Sequence, residues 1–336
     1  MKYSLVLLYL NFSLTVNAQK IKISEDSMIK KWELATVNIE ANSSLFMEPS
    51  ISSVFQKNLD KSNASNIEKN QAWIDFSRNK VGVSGTAIFL QYENIHFLIT
   101  ARHVFEDSHF PAPGFAYNQV FFPENLNIVK YNNFLPTATY LLPIDTILHA
   151  GNLIFSPKDT DIAILALDSF KNQIGISNIA LILMNRGYQP IDISDIDTGY
   201  KSKKGDLTYA IGFPDLSMIG TKNSIDTFQI FQSNNVTLPV VSTGNVLETT
   251  NTEPYLISDV FVYHGNSGGP IIHNNKLIGI VHGANLETRE VKGTLLKSYY
   301  FLNGNQFIKS KYILPLLRKF IVLMKHNNVA SKLNSK

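Results

Sequence analysis

The sequence predicts an all-β chain folded as two antiparallel barrels, and two observations carry that prediction. From residue 84 onward short apolar runs recur between Pro, Gly, Asn and Asp, the sequence habit of a β-barrel. One connection, roughly 168 to 206, is longer than a hairpin needs, and it divides the runs into a first barrel (81–206) and a second (207–305). Flanking these are an N-terminal extension at 19–80 and a C-terminal helix with a basic tail at 306–336.

In chain order, residues 1–18 come first. Lys2 precedes an apolar stretch from Leu5 to Val16, broken only by Asn11, Ser13 and Thr15, and Val16, Asn17 and Ala18 form a small-residue exit. This pattern predicts a signal peptide cleaved after Ala18, and the run falls short of the roughly 20 residues a membrane span needs. A secreted or periplasmic product without a membrane anchor is expected. In the extension, Ser24, Glu25 and Asp26 open a helix with Met28, Ile29, Trp32, Leu34, Ala35 and Ile39 on its apolar face, interrupted by β-branched Thr36 and Val37. It is read as a brace packed on the first barrel, with a removable pro-segment as the alternative. Residues 62–70 read as a polar loop.

Strands begin at Ser84: 85–90 runs to a turn at Tyr92, Glu93 and Asn94, and 96–100 returns, outlining a hairpin with His103 just past its end. Further strands are expected at 120–122, 140–144, 153–155 and 162–167. The second barrel takes 207–214, 228–231, 236–243, 244–248, 255–262, 276–282 and 298–302, and residues 307–325 recur at helical spacing, with Pro315 expected either to sit in the first turn or to kink the helix.

Composition narrows the function. With 336 residues, 44% hydrophobic, the chain can bury a large core. A net charge of +3 without a long basic block gives no reason to expect nucleic acid. There are no cysteines, so neither disulfides nor a thiol nucleophile is available.

The most informative string is Gly265, Asn266, Ser267, Gly268, Gly269, Pro270, followed by Ile271 and Ile272. Glycines on both sides let a serine sit on a strained turn, its hydroxyl projecting while main-chain N–H groups point inward. Upstream, Thr100, Ala101, Arg102, His103 and Val104 end an apolar run, and Asp161 precedes Ile162, Ala163, Ile164 and Leu165. Histidine, aspartate, serine is the chain order of one known triad arrangement. Asp159, on the same side of an extended chain, is the alternative acid. No metal or cofactor is expected: His96 and His103 have no acidic or cysteine partners at ligand spacing. His109, His149, His273 and His326 read as solvated loop or tail residues, and His96 opens a strand.

These three segments resemble the chymotrypsin-like serine peptidases over roughly residues 80 to 300, and the cysteine-free form is similar to bacterial trypsin-like peptidases related to the HtrA and glutamyl endopeptidase groups. The resemblance implies two six-stranded barrels with the site between them, a protein or peptide substrate, and no cofactor. It implies that Ser267 attacks, His103 shuttles the proton, Asp161 stabilises the imidazolium, and the backbone N–H groups of Gly265 and Ser267, flanking Asn266, hold the oxyanion. Substrate preference would then be set at Phe261, His264, His282 and Gly283. Phe261 stands where an acidic residue would select Lys or Arg. His282 is one residue from the place where glutamyl endopeptidases use a histidine to receive an acidic side chain. No apolar-Gly-Gly start suggests activation by cleavage, and no room is expected for a PDZ module after the last helix. The resemblance leaves two other functions open: a non-catalytic peptide- or protein-binding member of the fold, and an esterase using the same three residues.

Overall fold

A computed structural model describes residues 25–43, 81–106, 119–125, 127, 142–143, 153–168, 179–215, 218–221, 235–248, 253–290 and 297–334. The expected signal peptide, the loop at 62–70 and the strand at 228–231 lie outside these residues.

The helix forecast near residue 25 spans 25–35 and stops where β-branched Thr36 and Val37 begin β1 (Thr36–Ser43). The extension therefore enters the fold itself. β1 pairs antiparallel with β2 (Val81–Tyr92), matching Thr36 to Ile88 and Ser43 to Val81. β2 turns through Glu93 and Asn94, both with positive φ, into β3 (Ile95–Ala101). β3 in turn pairs with β8 (Ile162–Ala166), so Ala101 lies opposite Ile162. With β4 (Gln119–Phe121), β6 (Leu142–Pro143) and β7 (Leu153–Phe155) the order is β6-β4-β1-β2-β3-β8-β7. The long connection holds a helix, Ile179–Arg186, and β9 (Ile191–Asp192), which adds to β2 in parallel.

The first of the two expected barrels is thus, among the described residues, an open eight-stranded sheet. The second is a closed antiparallel barrel of six strands: β10 (Leu207–Gly212), β13 (Val240–Glu248), β14 (Tyr255–Ser258), β17 (Lys297–Lys309), β16 (Lys276–Glu290) and β15 (Pro270–His273). A small sheet of β11 (Met218–Thr221), β12 (Asn235–Thr237) and β5 (Glu124–Asn125) lies apart from both. Asn38 Nδ2 donates to Thr237 Oγ1 at 2.9 Å and links it to β1. The last helix, Ile313–Asn334, has Pro315 in its first turn, one of the two placements expected, where a missing N–H costs nothing. Phe307 and Ile308, read in the sequence as helical, belong instead to β17, which runs on to Lys309. Among the described residues no helix is long and apolar enough to cross a membrane.

Two faces of the first sheet are buried. One covers Val37, Ala87, Phe89, Leu98, Val104, Phe105 and Leu165. The other forms a larger core shared by the whole molecule, in which Trp32, Ile88, Phe97 and Ile164 meet Ile211, Ile280, Ile308, Leu317 and Phe320. Trp32 is fully buried, and its indole N–H donates to Asn275 Oδ1 at 3.1 Å, in the β15–β16 turn. Tyr209 on β10 donates to Glu25 at 2.7 Å. These contacts hold the sheet against the barrel and fix the seam where the site lies.

Candidate active site

His103 sits on a one-turn helix, Arg102–Phe105, that follows β3 directly. That turn is fixed by its neighbours. The Arg102 N–H donates to the Asp161 carbonyl at 2.9 Å. The Arg102 side chain meets buried Glu106 and the Ser156 carbonyl while lying over the Phe155 ring at 5.1 Å. Because β3 and β8 pair, the residue just before β8 is carried to the start of the same turn, and that residue is Asp161. Its φ is +41°, a left-handed conformation that aspartate tolerates better than most residues.

Asp161 is 5% exposed and its carboxylate takes three hydrogen bonds. Oδ1 accepts the His103 backbone N–H at 3.0 Å. Oδ2 accepts from His103 Nδ1 at 2.7 Å and from His282 Nδ1 at 2.6 Å. Burial alone would raise its pKa, but the hydrogen bonds and positive charge of the two imidazoles outweigh it and lower the value to about 2. An ionised carboxylate can only accept, so each ring carries a proton on Nδ1. In a ring protonated on Nδ1, Nε2 is the nitrogen that remains to exchange a proton. Asp159, the alternative acid, makes no such contact; its carbonyl accepts from the Tyr255 hydroxyl at 3.2 Å.

Ser267 lies in the turn between β14 and β15. Gly265 has φ +93°, and a Cβ there would lie 2.3 Å from the Phe213 carbonyl oxygen. Gly268 has φ +87°, and a Cβ would fall 2.1 Å from Thr100 Oγ1 and 2.2 Å from the Thr86 carbonyl oxygen. Both must be glycine, because the turn crosses left-handed backbone and presses on the end of β3. Within the turn Asn266 N–H donates to Tyr263 at 3.0 Å, Gly268 N–H to Val281 at 2.8 Å and Gly269 N–H to Asn266 at 2.9 Å. The N–H groups of Gly265 and Ser267 have no acceptor among the described residues. The Ser267 hydroxyl donates to the His282 carbonyl at 3.4 Å.

Thr86, on β2, was not singled out in the sequence, yet it joins the two halves of the site. Its hydroxyl donates to the Gly265 carbonyl at 2.7 Å and accepts from Phe213 N–H at 3.0 Å. Its N–H donates to the Ser267 carbonyl at 2.8 Å, and its own carbonyl accepts from Thr100 Oγ1 at 2.7 Å. A threonine in an apolar strand was the available signal, but its partners across the seam, Phe213, Gly265 and Ser267, lie more than a hundred residues away. The Asn266 side chain is buried, with Oδ1 facing Gly212.

Of the residues expected to shape substrate preference, Phe261 is 56% exposed and His264 is exposed, its carbonyl fixed by Asp215 N–H at 2.8 Å. A Cβ at Gly283 would find no atom within 4 Å among the described residues. The His282 ring turns to Asp161, with the Tyr255 ring 5.0 Å away and the His103 ring edge-on at 5.7 Å. Elsewhere His96 pairs with Asp168 at 2.8 Å, and His273 closes β15 with Nδ1 bonded to the Leu207 carbonyl at 2.7 Å. His109 and His149 lie outside the described residues.

Nitrogen and oxygen atoms of His103, Asp161 and His282 lie within 4.8 Å of one another, so among the described residues these three are the group able to hold a metal ion. Tetrahedral zinc at its usual bond lengths separates its donors by about 3.3 Å. Contacts of 2.6 and 2.7 Å are instead those of hydrogen bonds.

The site thus joins an imidazole to a buried carboxylate, and through His282 joins that carboxylate to a hydroxyl on a glycine turn. A family model described as a trypsin-like peptidase domain matches residues 85–280, more than half of the chain. No curated protein matches the chain.

Proposed function

The chain belongs to the trypsin-like peptidase domain family, and we propose that it is a serine endopeptidase acting through His103, Asp161 and Ser267. The observation that carries this reading is the His103 imidazole bonded through Nδ1 to buried, ionised Asp161, which also binds His282, whose carbonyl accepts the Ser267 hydroxyl in a turn where two N–H groups have no acceptor among the described residues. His103 Nε2 removes the Ser267 proton as the hydroxyl attacks the scissile carbonyl. The tetrahedral oxyanion is received by the N–H groups of Gly265 and Ser267, and His103 returns the proton to the leaving amine. Water then repeats the sequence on the acyl-enzyme. Asp161 stays ionised throughout and stabilises the imidazolium. In the substrate-free site the hydroxyl rests on the His282 carbonyl; catalytic hydrogen bonds commonly tighten only once substrate is bound.

The finer grouping, with bacterial enzymes related to HtrA and glutamyl endopeptidases, is supported by the lack of cysteine and by the Gly265–Pro270 string. A secreted or periplasmic location is supported by residues 1–18, and a mature N-terminus at Gln19 in exported protein would verify it. For the activity, a fluorophosphonate probe is expected to label the wild type and to leave Ser267→Ala unlabelled. Folded protein that resists the probe would count against the proposal, and a peptide captured equally by both proteins without cleavage would favour the binding-only reading.

A further inference from the structure

We infer that His282 is a positioning residue of the active site, a second imidazole that fixes the Asp161 carboxylate and through it the orientation of His103. This rests on the peptidase reading above. His282 lies on β16, fifteen residues past Ser267, and touches two members of the proposed triad at once. Its ring donates Nδ1–H to Asp161 Oδ2 at 2.6 Å, and its carbonyl accepts the Ser267 hydroxyl at 3.4 Å. The oxygen it binds is the same one that receives His103 Nδ1–H, so the carboxylate is clamped from two elements, the turn after β3 and strand β16.

Three features show the ring is placed for this role. Its side chain is 27% exposed, which leaves little room to swing away. The Tyr255 ring lies 5.0 Å from it on one side, and the His103 edge meets it at 5.7 Å on another. Asp161 itself sits in left-handed backbone at φ +41° and is anchored by its own carbonyl to Arg102 N–H. Its side chain nevertheless retains a rotation about χ2, and a single donor at Oδ2 would not stop it. Two donors converging on one oxygen, with the His103 backbone N–H on the other, define the carboxylate plane.

The test separates the donor from the ring. His282→Phe keeps the ring against Tyr255 but removes the donor; His282→Asn keeps a donor near the place of Nδ1 and removes the ring. Fluorophosphonate labelling of Ser267 is expected to slow about 10- to 100-fold in the Phe variant, the span of one charge-assisted hydrogen bond. In the Asn variant it is expected to stay within about 3-fold of wild type. Labelling should saturate at the same probe concentration in all three, because orientation of the base affects the chemical step. Independently of activity, nitrogen NMR of the histidine rings should show Nδ1–H on both His103 and His282 in the wild type. The His103 signals should shift in the Phe variant and recover in the Asn variant. A folded Phe variant with wild-type labelling and unmoved His103 signals would overturn the inference. So would equal losses in both variants, which would mark the ring as packing. Should the wild type resist the probe while His103 signals still respond to the Phe substitution, the clamp would stand and the peptidase reading would fall.

Discussion

The two halves of the site are built by opposite means. In the closed barrel the nucleophile turn is held almost entirely by main chain: three of its N–H groups bond to backbone carbonyls, and two glycines admit a left-handed path that presses against β3. In the open sheet the acid and base are held by side chains, with Asp161 receiving His103 and His282 and with Arg102 braced on Glu106. Thr86 works in both ways, with its hydroxyl and its backbone reaching across the seam. The difference teaches where each half is vulnerable. Side-chain changes in the sheet should strike rate more than stability, whereas in the turn a single methyl group should strike stability first.

The largest effect expected from this contrast is on Asp161→Asn. Asparagine suits the left-handed backbone at this position, so the fold should survive while turnover falls by roughly 10⁴-fold, because the amide no longer enforces the His103 Nδ1–H form. Steady-state hydrolysis beside a thermal melt would measure both, and a variant that unfolds would break the comparison. Next comes Gly268→Ala. Its methyl group would need space 2.1 Å from Thr100 Oγ1 in a conformation with φ +87°, so denaturant unfolding should show a loss of about 3 kcal/mol. Thr86→Val tests the joint. The valine fills the volume but leaves the Gly265 carbonyl and the buried Phe213 N–H without their partner, so a loss of about 2 kcal/mol together with slower labelling is expected.

The smallest effect is an acid titration. Asp161 is lowered from 3.8 to about 2 in the fold, so its stabilising contribution is complete above 3.8 and disappears as pH falls through about 2. The contribution is about 2 kcal/mol. Denaturant midpoints between pH 5 and pH 2, compared with Asp161→Asn, should show the wild type losing the larger amount; parallel curves would mean the carboxylate is not held as described.

What could be read in the sequence follows the same division. Gly265–Pro270 announced the turn because the left-handed backbone demands glycine locally, and the apolar alternation after Asp161 marked a strand whose pairing with β3 delivers that residue to His103. Phe307 and Ile308 fit helical spacing equally well, and only their pairing in β17 placed them on a strand. β1 left a legible signal that the helical reading hid: Val37, Ile39 and Ala41 alternate as a strand should, and all three are buried. Thr86 and the His282 ring were not legible as structural ties, because each acts through partners more than a hundred residues distant, and no local pattern encodes such pairings.

Trp32 joins the earliest described helix to the latest. It shares one core with Ile313, Leu317 and Phe320, and its indole N–H donates to the turn at Asn275. During synthesis the tryptophan therefore emerges well before the surfaces that will cover it. The shared core can close only after the chain has been made out to the helix that carries Leu317 and Phe320, and contacts this distant in sequence form slowly. Until then the chain carries exposed apolar groups at its leading end, which makes assembly a late event and makes that interval the one in which it most needs protection from self-association.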